Sequence, residues 1–386
     1  MKVSLGGVIP ILPTPFTAQG AIDEEGFARV ADAAIGAGVD GVAMFGLASE
    51  YYKLADEERD LLAKLLVKRV ARRCQVILSV TQHSTRLAVA EASRAAEYGA
   101  DALMLMPPFF LGTPLSDIIA HIRAVASAVS IPMVIQYAPL QTGRVIDAPT
   151  FASICSDLPN IKRVKVDLVP SGPTVSALTT NRVSSLVGYM GLHLPEDFTR
   201  GADSVMPTVS IAPAMVKIWQ LLDNRYEEAK ELHAHILPFL NFVMQSVEFL
   251  IACEKELLVE AGILGCAVLS RASIQAGCDT AFRASMAQKT PRVSFASKLT
   301  GANLPAEART GPPGKVILRR SPAIHSGHSQ FTEVPSLGDP ISPLRCLPTR
   351  GSHPWFLCST RRTVRLRCSL SMAATCVPTQ GANVTI

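Results

Sequence analysis

The stretch VILSVTQHSTRLAVAEASRAAEYGADALMLM, residues 76–106, reads as strand, helix, strand. Its ends, VILSV and ALMLM, are short, unbroken, β-rich apolar runs. Between them, residues 85–98 place apolar side chains near helical spacing. Two apolar strands joined by a helix imply a parallel pair with a crossover. The alternation continues on both sides. Further apolar runs fall at residues 8–12, 41–45, 133–137, 161–166, 185–187 and 204–206, and helical spacing recurs at 24–35, 56–71, 115–128 and 149–155. Eight strand units within about 210 residues predict an α/β fold of the closed (β/α)8 TIM barrel type. The alternative is an open doubly wound sheet, but the first strand is not followed by its GxGxxG fingerprint.

Beyond the eighth strand, residues 211–222 and 225–264 keep helical spacing, with a long run from 233 to 262, and are expected as extra C-terminal helices packed outside the barrel. The expected organisation is therefore a catalytic barrel at 1–210, a last barrel helix and helical extension at 211–264, and a tail at 265–386. In the tail the periodicity stops, and Pro, Ser, Thr, Arg and Gly dominate stretches such as TGPPGK. Such a composition buries too little apolar surface to offset chain entropy, so the tail is expected to be poorly ordered.

The 386-residue chain is 48% hydrophobic with a mean hydropathy of +0.27. It has no run of the roughly 18–20 apolar residues that a membrane span requires. Pro10, Pro13 and Pro15 interrupt the apolar N-terminus and argue against a signal segment. These features lead to the expectation of a soluble, cytoplasmic protein with no membrane partner. The net charge of +5 hides an asymmetry, since residues 266–386 hold 15 of the 37 Lys+Arg but only 4 of the 32 Asp+Glu. The basic run RRTVRLR at 361–367 invites a nucleic-acid reading, but no recognised binding module accompanies it and aromatics are sparse. The abrupt change near residues 262–266 suggests instead a slipped reading frame. Translating the other frames of the gene checks this, because a slip must leave a helical continuation in one of them. Nine cysteines occur with no CxxC pair; Cys74, Cys155 and Cys253 are read as reduced and buried, and neither a metal site nor a cofactor is assigned.

Active sites of such barrels lie at the C-terminal ends of the strands, so a charged residue there needs a reason. In IKRVKVDLV, residues 161–169, alternation puts Val164 and Val166 on one face and Lys165 on the other with Ile161, Arg163 and Asp167. If the valines pack on helices, Lys165 points into the barrel. Burial disfavours an ammonium and increases the share of free amine, the form that attacks a carbonyl. That is the chemistry of a Schiff-base lysine. A strand-end lysine on the surface, or one paired with Asp167, accounts for this stretch equally well.

Other motifs decide between these readings. GVIPILPTPF (7–16), GLASE (46–50), LADEER from Leu54, MPPFF (106–110), Tyr137-Ala-Pro139 with Thr142-Gly143, and Val164-Lys165 occur in this order and spacing. Together, from about residue 6 to 264, they resemble the dihydrodipicolinate synthase and N-acetylneuraminate lyase family of Schiff-base aldolases and dehydratases. The resemblance implies that Lys165 condenses with the ketone of pyruvate or another 2-oxo acid, with the protonated imine as electron sink. It also implies that the loop at Ala48 and Ser49 holds the substrate carboxylate, and that the chain forms a homo-oligomer, a tetramer.

The departures are informative. Where lysine-biosynthetic members carry a threonine and two tyrosines as a proton relay, this chain has Leu47 or Ala48, Phe110 and Gln136; their carboxylate-binding arginine falls at Gln141. None of these replacements shuttles a proton as a phenol does. The candidate catalytic residues are therefore Lys165, Gln136, Tyr137 and Tyr189, and the candidate substrate-binding residues are Ala48, Ser49, Phe110 and Gln141. Gln136 would hydrogen-bond a substrate hydroxyl or a catalytic water. Tyr137, next to the vacated tyrosine position, has the wrong parity unless a bulge intervenes. Tyr189 lies just past the seventh strand, His83 just past the third, and Asp167, on the same face as Lys165, either orients it or forms a charge pair at the barrel rim. The expected function is a lyase that carries out aldol cleavage, condensation or dehydration. The competing reading is a catalytically impaired barrel that only binds a 2-oxo acid, or a non-functional product of an altered C-terminus.

Overall fold

Apolar strands with no polar face must be covered on both sides, and in this chain the cover is supplied by the strands themselves within and by helices without. The computed structural model describes residues 5–268. Its strands are β1 (Gly7–Val8), β2 (Gly41–Met44), β3 (Gln75–Val80), β4 (Ala102–Leu105), β5 (Met133–Tyr137), β6 (Ile161–Val166), β7 (Ser185–Val187) and β8 (Ala202–Val205). All pairings are parallel, in the order β1-β8-β7-β6-β5-β4-β3-β2. Ile11 closes the ring by bridging Ala43 on one side and Thr208 on the other, making the TIM barrel expected from the alternation. The first strand, expected at 8–12, is formally two residues long because Pro10 has no N–H to donate. Bonds from Ile11 N–H to Pro207 and from Leu12 N–H to Ala43 nevertheless continue it.

The helices are α1 (Glu24–Gly36), α2 (Asp56–Val70), α3 (Thr85–Glu97), α4 (Leu115–Ser127), the single turn α5 (Pro139–Thr142), α6 (Ala148–Asp157), α7 (Gly172–Thr180), α8 (Leu194–Thr199), α9 (Ala212–Leu222), α10 (Tyr226–Val243) and α11 (Val247–Glu260). Their ends follow local chemistry. Asp23 caps α1 by accepting from the Gly26 N–H at 2.8 Å, and Asp56, Glu57 and Glu58 place negative charge at the start of α2. The run expected from 233 to 262 is broken at residues 244–246, where the Ser246 hydroxyl accepts from the Phe249 N–H at 3.1 Å and starts α11.

Two apolar cores result. A small one inside the barrel holds Ile9, Ala43, Ile77, Met104, Val134 and Leu186; a large one between barrel and helices includes Val164, Val166 and Tyr137. Each buried Leu, Ile or Phe in them contributes about 1.5–3 kcal/mol. Ile161, expected on the inner face with Lys165, packs in the outer core. The register between β5 and β6 skips a residue there, pairing Met133 with Ile161 but Val134 with Arg163, and the skip reverses the facing. No helix among the described residues is long and apolar enough to cross a membrane. The tail assigned to 265–386, and the frame slip suggested for it, lie from residue 269 onward outside the described residues.

Candidate active site

A cavity of about 310 Å³ opens at the C-terminal end of the barrel. Lys165 reaches it from β6. Its neighbours in register are Gln136 on β5 and Leu186 on β7, so all three point inward while Val164 and Val166 pack on the helices. Lys165 Nζ donates to Asp167 Oδ2 at 2.7 Å, and Gln136 Nε2 donates to the same oxygen at 2.7 Å. Lys165, Asp167 and Gln136 are all buried, 8%, 8% and 3% exposed. Asp167 is held from its other side as well. A Cβ on Gly188 would lie 1.7 Å from Asp167 Oδ1, so only glycine lets the loop after β7 close over that carboxylate.

Tyr189 and Met190 follow Gly188 with left-handed backbones, φ 47° and 55°, and both line the cavity. Such conformations are costly for non-glycine residues and collect at functional sites. Burial, then the Asp167 charge, hold the Tyr189 phenol above its usual range, while a hydrogen bond from Gln141 opposes them. Gln141 reaches the cavity from α5 and keeps its Oε1 buried without a partner among the described residues. Leu47 and Ala48 line the opposite wall in a one-turn helix, Leu47–Ser49, whose first N–H groups find no acceptor within it.

Not every candidate residue reaches this cavity. The Ser49 hydroxyl is consumed internally, donating to the Leu12 carbonyl at 2.7 Å and accepting from the Phe45 N–H at 3.1 Å; it braces the loop instead of facing a ligand. Tyr137 turns outward, as its parity on the strand dictates, and packs edge-on against Phe151 with ring centroids 5.3 Å apart. Its placement beside Gln136 in sequence therefore puts it on the far side of the barrel wall. Phe110 is 63% exposed on the loop after β4, near His83 (5.8 Å between centroids), and does not line the cavity.

The sequence reading missed the roof. Residues 244–246, between α10 and α11, contribute Gln245 and Ser246 to the cavity wall. The signal was present, because a serine followed by an acid two residues later is a helix start inside what looked like one long helix. Two consecutive buried side chains of α11 pin that roof. Glu254 accepts from the Ser210 N–H at 2.9 Å and from the Ser210 hydroxyl, tying α11 to the loop after β8; burial pushes its carboxyl up. Lys255 pairs with Glu50, immediately after the turn that carries Ala48, and both side chains are fully buried. Burial pulls the Lys255 ammonium below the usual lysine range. Lys53 joins the same carboxylate at 3.1 Å and Glu248 at 3.0 Å.

The profile of the Dihydrodipicolinate synthetase family matches residues 4–263. The chain belongs to that family. Among relatives in the dihydrodipicolinate synthetase family, an L-2-keto-3-deoxyarabonate dehydratase from Azospirillum brasilense is 26% identical over 268 residues, 67% of this chain and 85% of the relative. A 4-hydroxy-tetrahydrodipicolinate synthase from Stenotrophomonas maltophilia is 37% identical over 246 residues, 62% of this chain and 82% of the relative. The crystal structure of a dihydrodipicolinate synthase from Rhodopseudomonas palustris superposes with a TM-score of 0.69 at 25% identity, covering 74% of this chain and 97% of that one. The low identities mark a divergent member of the family. Of the departures read at Phe110, Gln136 and Gln141, the two glutamines line the cavity and Phe110 does not.

Proposed function

We propose that this family member is a Schiff-base lyase in which Lys165 condenses with the keto carbon of pyruvate or a longer 2-oxo acid. The observation that carries the proposal is the placement of the Lys165 amine in the cavity floor, buried and beside a single carboxylate, at the strand ends where barrel enzymes act. The unpaired N–H groups of the Leu47–Ala48 turn would receive the substrate carboxylate, a role for backbone amides that leaves the Ser49 hydroxyl to its bracing bonds. Beyond Lys165, Asp167 and Gln136, the polar part of the wall is amide and hydroxyl, from Gln141, Gln245, Tyr189, Ser246 and Thr208, set among thioether and aliphatic side chains. Among the described residues Lys165 is the only cation in the lining. A distal carboxylate would therefore meet no charge partner, whereas distal hydroxyls would meet Gln141 Oε1 and Gln136. The reading is aldol cleavage or dehydration of a neutral-tailed 2-oxo acid, in preference to the condensation that builds dihydrodipicolinate.

A homo-oligomer working in the cytoplasm completes the proposal. Loops after β4 and β5, tied by Arg144 to the Thr113 carbonyl at 3.0 Å, expose Phe110, Leu140 and Val145, apolar surface that a second copy would cover. Sedimentation velocity checks that point. The chemistry is checked by incubating the protein with pyruvate, 2-oxobutyrate and longer 2-oxo acids, reducing with borohydride and mapping the added mass. Modification of Lys165 is expected. A lysine left unmodified by every acid tried sinks the reading, and modification without turnover of any elongated substrate would favour a binding barrel.

A further inference from the structure

We infer that Asp167 is a catalytic residue, the proton carrier that makes and dehydrates the carbinolamine at Lys165; the inference rests on the Schiff-base reading above. Imine formation requires a group that removes a proton from the attacking ammonium and later delivers one to a departing hydroxyl. Among the described residues only three titratable side chains line the cavity: Lys165, Asp167 and Tyr189. Tyr137 is behind the barrel wall, and Tyr52 is bonded to Glu248 outside the cavity. Tyr189, whose phenol is held protonated, is placed to donate a hydrogen bond but not to act as a base. Asp167 remains, with Oδ2 at 2.7 Å from the reacting nitrogen.

The carboxylate is also held as a carrier needs to be. Gln136 fixes the working oxygen, Gly188 closes against the other, and the backbone N–H of Asp167 is bonded to the Tyr137 carbonyl at 2.9 Å. Gln136 thus orients the base in addition to facing substrate. The cycle balances without any co-reactant. The Asp167 carboxylate takes a proton from the Lys165 ammonium, and the free amine pair forms the C–N bond at the keto carbon while the carbonyl π pair moves to oxygen. The Asp167 carboxylic acid protonates that oxygen. The carboxylate so formed takes a second proton from the now positive nitrogen, completing the neutral carbinolamine. Asp167 then gives this proton to the hydroxyl, the C–O bond breaks, water leaves, and the nitrogen pair closes the C=N bond. The products are the protonated imine, one water and the original carboxylate.

The test is the rate of cyanoborohydride trapping of pyruvate and 2-oxobutyrate, followed by intact mass, in wild type, D167N and D167A, each checked for folding by urea denaturation. D167N keeps the shape and a hydrogen bond to the lysine but cannot carry a proton. It is expected to form the imine about 10²–10⁴-fold more slowly. D167A is expected to be equally slow, and added formate, a carboxylate small enough for the vacated space, is expected to accelerate it in a concentration-dependent way. A merely structural ion pair would not respond to formate. Trapping by folded D167N within twofold of wild type overturns the assignment, as does folded D167A that formate leaves unchanged. Wild-type protein that traps neither acid overturns the Schiff-base reading and this one together.

Discussion

Lys165 and Lys255 are both buried lysines paired with one carboxylate, yet only one of them is placed for chemistry. Lys255 is sealed. It has no exposed surface, lies over the Phe16 ring at 4.6 Å from its centroid, and shares Glu50 with Lys53. Lys165 is also buried, though 8% exposed, but faces a cavity, and its carboxylate is fixed by a neutral amide. A second cation on Glu50 adds hold; an amide on Asp167 sets its direction without competing for its proton. The contrast shows that burial of a lysine is not by itself a functional signal. Reactant volume beside the nitrogen, and a carboxylate left with one charged partner, make the difference.

The comparison can be broken in three places. The largest effect is expected at Lys165→Ala, which removes the nucleophile. Borohydride-trapped mass should fall by at least about 10⁴-fold, worth roughly 5.5 kcal/mol of barrier, while the urea midpoint barely moves because Asp167 is left facing the cavity. Loss of stability without loss of trapping would invert the assignment of the two lysines. Next is Lys255→Met, which takes from Glu50 its fully buried partner and leaves it Lys53. A loss of about 3–5 kcal/mol in urea denaturation is expected, and the double variant with Glu50→Gln should recover a large part of it, because both buried charges then disappear together. Protein that remains folded should still trap at Lys165.

The smallest effect belongs to an exposed ion cluster, Asp32 with Arg69 and Arg73. The two guanidiniums hold the Asp32 carboxyl below its usual range, Arg69 chief among them. A carboxyl lowered in the folded state stabilises above its unfolded pKa, about 3.9, and loses that contribution as pH falls through the lower folded value. Asp32→Asn should therefore differ slightly from wild type at neutral pH, less in high salt, and progressively less as acid protonates the wild-type carboxyl.

The fold could be read from the sequence because its signals are local. Each apolar run and each helical stretch announces itself within a dozen residues, so eight units could be placed, and parity correctly set Lys165 inward and cast doubt on Tyr137. The errors come from facts held in other parts of the chain. Ile161 changes face through a register skip that shows only when β6 is paired with β5. The Ser49 hydroxyl is captured by Leu12, 37 positions away. The choice between an orienting Asp167 and a rim charge stayed open because its partner Gln136 is 31 residues distant and adjacent only once two strands align. Gln245 and Ser246 could not be assigned to the cavity before the fold brought α11 back over the barrel.

That return has a consequence for how the molecule is made. Lys165 leaves the ribosome about 90 residues ahead of Glu254 and Lys255, the pair that docks α11. The last barrel strand ends at Val205, about 50 residues before Glu254, so at roughly 5–20 residues per second the nascent chain passes about 2–10 s with its barrel strands synthesised and α11 not yet complete. Throughout that interval the lysine meets the carbonyl compounds of its surroundings with no wall to choose among them. Selectivity at this site is therefore the last property the growing chain acquires, and it arrives with a helix that contributes none of the reacting atoms.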